Sequence, residues 1–255
     1  MALSYLKKFN SEVEKAVCAG KDNSIVSLQH IEAMPEIVRK YLLYTGVVGK
    51  AIPQSVHFKW KGYFKTDENK KWTKINALQF NLLDPDTRCF YMGMRMMGLP
   101  VKGLHVYKNA KASMKIKIAG LFQVVDAKGF EMNKGETVTF FNDMCFFCPA
   151  WFLKSEIQWE ELDPLRVNAT YTNHGIKISA TLIFNPAGQL INFISNDRYL
   201  SSDGKTFLNY PWTTPVGEYK ELNGRMLPSY GEASWITPKG EYCYGKFYLD
   251  SLTYK

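Results

Sequence analysis

Cys145 and Cys148 form the one pair whose spacing points directly at chemistry. A C-x-x-C at a helix start can hold a thiolate, because the helix terminus stabilises negative charge. Here the run Cys145-Phe146-Phe147-Cys148 comes late in an apolar stretch, with no thioredoxin-like strand–helix–strand around it. Buried, reduced, structural thiols are the better expectation. Zinc would need two further ligands. No second C-x-x-C and no H-x-x-x-H occurs, so neither a metal nor a cofactor is implied. His30, His57, His105 and His174 lie far apart in sequence. His57 and His105 fall in alternating stretches and would serve as an acid or base only by facing a cavity. Asp197, Glu232 and Glu241 are carboxylates near strand ends, with Arg198 beside the first. Two of them meeting across a pocket would suit glycoside-type acid–base work, whereas an Asp–Arg neighbour pair is more often a structural ion pair. No G-x-S-x-G elbow, phosphate loop or H-E-x-x-H is present, so no residue is assigned a catalytic role.

Binding chemistry is better represented. Met92-Gly93-Met94-Arg95-Met96-Met97-Gly98 places four methionines in six residues. Such soft, polarizable surface suits a varied apolar ligand; the competing reading is a loop that fills an irregular core. Arg95 would then pair a carboxylate or phosphate headgroup. Phe141, Met144 and Phe147 carry similar surface on the apolar stretch further on, and Trp151, Tyr199 and Trp212 complete the candidate ligand-binding set. Met94, Met96 or Met97 is expected to border one apolar pocket with Phe141, Met144 and Phe147. On that expectation a charge at Met144 abolishes ligand uptake and destabilises the fold less than a change in a packed core would.

The elements that must position these residues are mostly strands. Ile176–Phe184 runs into Asn185-Pro186-Ala187-Gly188 and resumes as Gln189–Asp197, a hairpin signature. Similar runs recur at Ser55–Phe64, Ile75–Leu83, Arg88–Met92, Leu104–Asn109, Ser113–Ile118, Leu121–Val125 and Ile157–Trp159. Others follow at Arg166–Thr172, Trp212–Leu222, Arg225–Ile236 and Glu241–Tyr254. The stretch Gly135–Leu153 has no turn signal before Pro149. Val138, Phe141, Met144 and Cys145 would share one helical face there, which predicts a buried helix near 136–148. At the N-terminus, Tyr5, Leu6, Phe9, Val13, Ala16 and Val17 repeat with helical spacing, with Gly20 as the stop and Lys21–Ser24 as a polar linker. A second helix is expected from Pro35 to Gly46. The fold class is therefore mainly β: one strongly curved antiparallel sheet, half-barrel or open barrel. Residues 1–50 form a helical arm, and 51–255 form the β domain with an inserted helix.

The formal net charge of +8 comes from lysines scattered through strands, as in Lys115-Ile116-Lys117-Ile118. That spacing belongs to wetted strand faces. An anionic membrane surface is the secondary partner it allows, and no nucleic-acid module is legible. No run is long and apolar enough to span a bilayer, and Met1–Asn10 carries no signal-peptide core. Five cysteines, Cys18 among them, make an odd number in a chain too large to need disulfides. This favours free thiols and a cytoplasmic setting unless a leader has been removed.

Several marks occur in order: Pro35-Glu36-Ile37-Val38-Arg39-Lys40-Tyr41-Leu42, Gly46-Val47-Val48-Gly49-Lys50, Asp197-Arg198-Tyr199, Pro211-Trp212, Gly231-Glu232-Ala233-Ser234-Trp235 and Pro238-Lys239-Gly240-Glu241-Tyr242. From Met34 onward the chain resembles a prokaryotic domain family with no established activity. The resemblance implies a strongly curved antiparallel sheet similar to the half-barrels of bacterial lipoprotein carriers, and it brings no catalytic residues. The leading functional expectation is a protein that binds a lipid, fatty acid or other apolar molecule in a concave cavity. The alternatives are a hydrolase or isomerase using paired carboxylates, and a non-catalytic membrane-surface or structural module.

Overall fold

The computed structural model describes residues 4–16, 24–201 and 203–255. Val17, Cys18, Gly20 and most of the expected linker lie outside them. The chain opens with helices α1 (Tyr5–Ala16), α2 (Leu28–Ile31) and α3 (Glu36–Tyr44). Six strands follow: β1 (Ser55–Phe64), β2 (Thr73–Leu82), β3 (Thr87–Met96), β4 (Leu99–Lys108), β5 (Lys111–Ile118) and β6 (Phe122–Lys128). Helix α4 (Phe130–Phe147) and a 3₁₀ turn at Pro149–Lys154 interrupt them. The second series is β7 (Glu156–Asp163), β8 (Arg166–Asn173), β9 (Ile176–Phe184), β10 (Leu190–Ser195), β11 (Tyr199–Leu200), β12 (Leu208–Asn209), β13 (Trp212–Thr213), β14 (Val216–Leu222), β15 (Arg225–Thr237) and β16 (Gly240–Tyr254).

Fourteen strands make one open antiparallel sheet, ordered β6-β5-β4-β3-β2-β1-β16-β15-β13-β10-β9-β8-β7, with β14 paired to β15. Each series is a meander, and β1–β16 pairing joins the two. The sheet curls until its wings touch at one corner. Asn173 donates to Asp86 Oδ2 at 2.9 Å and to the Tyr107 hydroxyl at 2.8 Å, and His174 Nε2 lies 2.8 Å from Asp86 Oδ1. Asp86 belongs to the β2–β3 turn, whereas Asn173 ends β8 and His174 opens the β8–β9 turn.

Alternation divides the two faces. On β1, Phe58 and Trp60 are buried and turn inward, while Lys59 and Lys61 are exposed. The outer face of β2–β4 is covered by α1, whose Tyr5 and Phe9 pack with Phe80, Leu82, Cys89 and Leu104. His57 lies on this outer side, against Phe80 at 4.8 Å between ring centroids, and so does not face the cavity side. Helix α3 joins the main core: the Tyr41 ring packs at a tilt against Phe184 and its hydroxyl donates to the Cys145 carbonyl at 2.6 Å.

The methionine-rich segment is strand, where a core-filling loop was the competing expectation. Its inward positions alternate within β3, and the turn is only Met97-Gly98, both at positive φ (48° and 79°). Helix α4 begins six residues before the expected start, at Phe130. Gly135, the first residue of the expected apolar stretch, lies inside the helix, where a Cβ would sit 3.5 Å from Arg198 Cγ. The expected strand Trp212–Leu222 is split into β13 and β14, because Pro215 has no N–H to give a ladder.

Candidate functional site

Cross-strand rows on the concave side build the site one layer at a time. Nearest the β2–β3 turn, Asn81, Arg88 and Tyr107 stand side by side on β2, β3 and β4. The next row is Gln79, Phe90, His105 and Met114. Above it come Trp60, Ala77, Met92, Gly103, Ile116 and Val125. Then follow Ile75, Met94, Val101 and Ile118. The chemistry therefore grades from charged to purely apolar along β3, over about 26 Å for the eight residue steps from Arg88 to Met96.

These rows and α4 enclose a cavity of about 460 Å³. Its wall includes Met92, Met94, Met96, Met114, Phe90 and Phe247, together with residues of β15 and β16. Thr66 and Val124 line it and are exposed, which marks its mouth at the Met96 end.

Helix α4 turns its polar side toward this space. Gly135, Glu136, Thr139, Asn142 and Asp143 line the cavity and recur every three or four residues. Each buried polar group is satisfied, as burial demands. Asp143 Oδ2 accepts from Gln79 Nε2 at 2.7 Å, Asn81 Nδ2 at 2.9 Å and Arg88 Nε at 2.7 Å. Arg88 Nη1 reaches Glu136 Oε2 at 3.2 Å. The other Glu136 oxygen lies 3.6 Å from His105 Nδ1 and 3.5 Å from Arg198 Nη2. Burial alone would raise the Glu136 pKa, but the His105 imidazole and the Arg88 and Arg198 guanidiniums outweigh it and hold the carboxyl well below its ordinary range. Asn142 donates to Thr214 Oγ1 at 2.6 Å. Arg198 also donates to Thr139 Oγ1 at 3.0 Å and lies 4.4 Å over the Trp212 ring.

The sequence-derived set divides in two. Met92, Met94, Met96, Phe147, Tyr199 and Trp212 line the cavity together. Phe141, Met144 and Trp151 do not: each has 0% exposure, packed on the far side of α4. Phe141 stacks on Tyr171 at 4.9 Å, and Trp151 donates to the Pro53 carbonyl at 2.6 Å. The apolar stripe of α4 went to the solid core, and the polar stripe was left for the cavity. Arg95 alternates to the outer face and is exposed, and Met97 stands at a turn tip, 98% exposed.

Of the three candidate carboxylates only Glu232 lines the cavity, and it pairs with Lys246 at 3.4 Å. Asp197 is taken by Lys134 at 2.6 Å and by the Ser179 backbone N–H, and Glu241 sits exposed at the β15–β16 turn. Sequence reading passed over Arg88, Glu136 and Asp143. The available signal was three charged residues placed where strand and helix periodicity demand buried positions.

Cys145 and Cys148 are buried and unpaired, and burial, with Asp143 adding to it, pushes both thiols up, away from reactivity. Among the described residues, no helix is long and apolar enough to cross a membrane. Neither observation assigns a compartment, so the cytoplasmic expectation has no structural support.

The model of a family of unknown function, DUF6544, matches residues 24–247. No curated protein matches. Three solved structures are similar over most of the chain. A DUF1329 family protein from Desulfovibrio piger has a TM-score of 0.47 at 9% identity, over 86% of this chain and 92% of that one. A putative outer membrane lipoprotein-sorting protein domain from Vibrio parahaemolyticus has a TM-score of 0.42 at 9% identity, over 79% and 85%. A LolA superfamily protein from Nitrosomonas europaea has a TM-score of 0.41 at 10% identity, over 86% and 92%. Likeness at this level decides neither a ligand nor a reaction.

Proposed function

The chain belongs to DUF6544, a family of unknown function, and from that premise we propose that it binds an apolar molecule with one polar end in its concave cavity. The graded cavity carries this reading: a volume of about 460 Å³, methionines and aromatics toward the mouth and a charged cluster at the deep end. Small-molecule sites typically occupy about 300–1,000 Å³ and combine an apolar lining with a few placed polar groups. A fatty acid or lipid chain is the ligand class. Ten methylenes moved from water into such a lining contribute on the order of 8 kcal/mol before ordering costs. The deep groups then need only orient the polar end. His105 and Arg198 are the candidates for that task, since both line the cavity and are less buried than Arg88.

Native mass spectrometry of protein purified from cells tests the reading. A reproducible co-purifying lipid supports it. Gly103→Phe supplies the control. Gly103 shares a row with Met92 and Ile116, and a Cβ there would meet only Ile116 Cγ1, at 3.8 Å. A phenyl ring at that position grows into the cavity without removing a wall contact. The adduct should vanish in this variant while the fold persists. A lipid that stays bound to Gly103→Phe at wild-type level, or wild-type protein that carries none and takes up no added fatty acid, defeats the proposal.

A further inference from the structure

The turns that surround the cavity mouth carry a surface of their own. Antiparallel pairing brings the β1–β2, β3–β4, β5–β6 and β15–β16 turns to one edge of the sheet. Large apolar side chains are exposed on this edge. Met97 is 98%, Leu121 78% and Phe122 68% exposed, and Leu99, Val124, Trp72 and Ile236 are exposed as well. Met97 also holds a left-handed φ of 48°, which a long side chain adopts at a cost that Asn or Gly would avoid. The opposite edge exposes less: its turns at 83–86 and 109–110 show no exposed large apolar side chain, and Phe130 after β6, 62% exposed, stands alone there among the described residues of these connections.

Charge accompanies the apolar groups. The edge segments contain Lys65, Lys70, Lys71 and Lys74, then Arg95 and Lys102, then Lys117, and finally Lys239. Against these eight cations stand only Asp67, Glu68 and Glu241, so five of the chain's eight net positive charges collect here. Aromatic and aliphatic tips flanked by lysines are the composition that enters an acyl boundary while cations hold anionic headgroups.

We propose that this turn edge docks the protein on an anionic lipid bilayer, with Met97, Leu121 and Phe122 entering the interface. Continuity with the cavity selects this occupant over another protein. Met96, Ile118 and Val124 line the cavity immediately beside those tips, so a docked molecule would present its mouth to the acyl layer. The surface lies outside the cavity; the choice of a bilayer as its occupant rests on the binding reading, and the experiment below separates failure of the one from failure of the other.

Co-sedimentation with vesicles tests it. Vesicles of phosphatidylcholine mixed with phosphatidylglycerol should retain the protein, and pure phosphatidylcholine vesicles should retain it far less. Added salt should weaken the retention, because exposed charges are screened. The double variant Leu121→Asp, Phe122→Asp should bind the mixed vesicles at least about ten-fold more weakly, the factor that corresponds to 1.4 kcal/mol. Lys70→Ser with Lys71→Ser should reduce salt-sensitive binding only. Both variants should still bind a soluble fluorescent fatty acid as wild type does, whereas Gly103→Phe should lose the fatty acid and keep the vesicles. Three results would overturn the proposal: wild type that ignores anionic vesicles, undiminished binding by the tip variant, or self-association of the chain through this edge in place of vesicle binding.

Discussion

One sheet and one helix make two different interiors. Under β7–β10 the concave side is solid: Phe141, Met144 and Phe140 of α4 join Val167, Ala169, Tyr171, Ile178, Leu182 and Phe193 in one packed core. Under β1–β6 and β15–β16 it is hollow, and no residue of β7–β10 lines the void. The difference is set by which stripe of α4 faces each wing. A continuous apolar stripe can close-pack with a strand face. A stripe of Glu136, Thr139, Asn142 and Asp143 must spend its contacts on hydrogen bonds, and its fixed geometry holds the opposing strands apart. The solid wing is held together by dispersion and burial, the hollow one by an ion-pair network at its deep end.

Substitutions can break this contrast or sharpen it. The largest effect is expected at Arg88, where Arg88→Met leaves Asp143 buried without its ion-pair partner and Glu136 without one of its two guanidiniums; about 4 kcal/mol should be lost in urea unfolding. The same network sets an acid limit. The folded Glu136 pKa lies below the ordinary value of 4.5, so its contribution is fully present above that pH and is lost as pH falls through the folded value. Glu136→Gln should be less stable than wild type at neutral pH and should lose less of its stability on acidification below about 4.5. Equilibrium unfolding across pH checks both statements.

Next in size is the paired comparison of methionines. Met144→Ala opens a cavity in the solid wing and should cost about 3 kcal/mol, whereas Met92→Ala enlarges an existing space and should cost about 1 kcal/mol or less. Equal losses would erase the distinction between the wings. This reverses the sequence-based expectation that Met144 tolerates change as a cavity wall.

At Gly62 the strands themselves are probed. A Cβ there would run into the Lys246 carbonyl oxygen across the β1–β16 seam, so Gly62→Ala should cost about 2 kcal/mol. The smallest effect has the opposite sign. Gly135→Ala places a methyl in ordinary contact with Arg198 Cγ at 3.5 Å and should add about 0.5–1 kcal/mol through helix propensity, readable as a rise in Tm.

Much of the sheet was legible because its strands alternate and its turns are short. Lys59 and Lys61 against Phe58 and Trp60 give β1 its faces without any knowledge of its neighbours. Half of the candidate lining was legible for the same reason, since Met92, Met94 and Met96 share one strand parity. The helix misled because its apolar stripe is the louder signal. Val138, Phe141 and Met144 announce burial, and burial in a packed core looks the same in one dimension as burial against a ligand. The charged cluster was hidden by sequence distance: Arg88 and Asp143 are 55 residues apart, and nothing in either neighbourhood names the other. The joining of the two strand series was equally hidden, because pairing of β1 with the last strand is a contact between the two ends of the β region.

The corner contact of Asp86 with Asn173 and His174 has a mechanical meaning. An open sheet has two free margins, β6 and β7, and could flatten or tighten as a whole. The pin at the β2–β3 and β8–β9 turns joins those two wings directly. Beside it, α4 ties them a second time, through Glu136 with Arg88 and Arg198 and through Lys134 with Asp197. The two wings are bound like the covers of a book, with the charged end of the cavity as the spine.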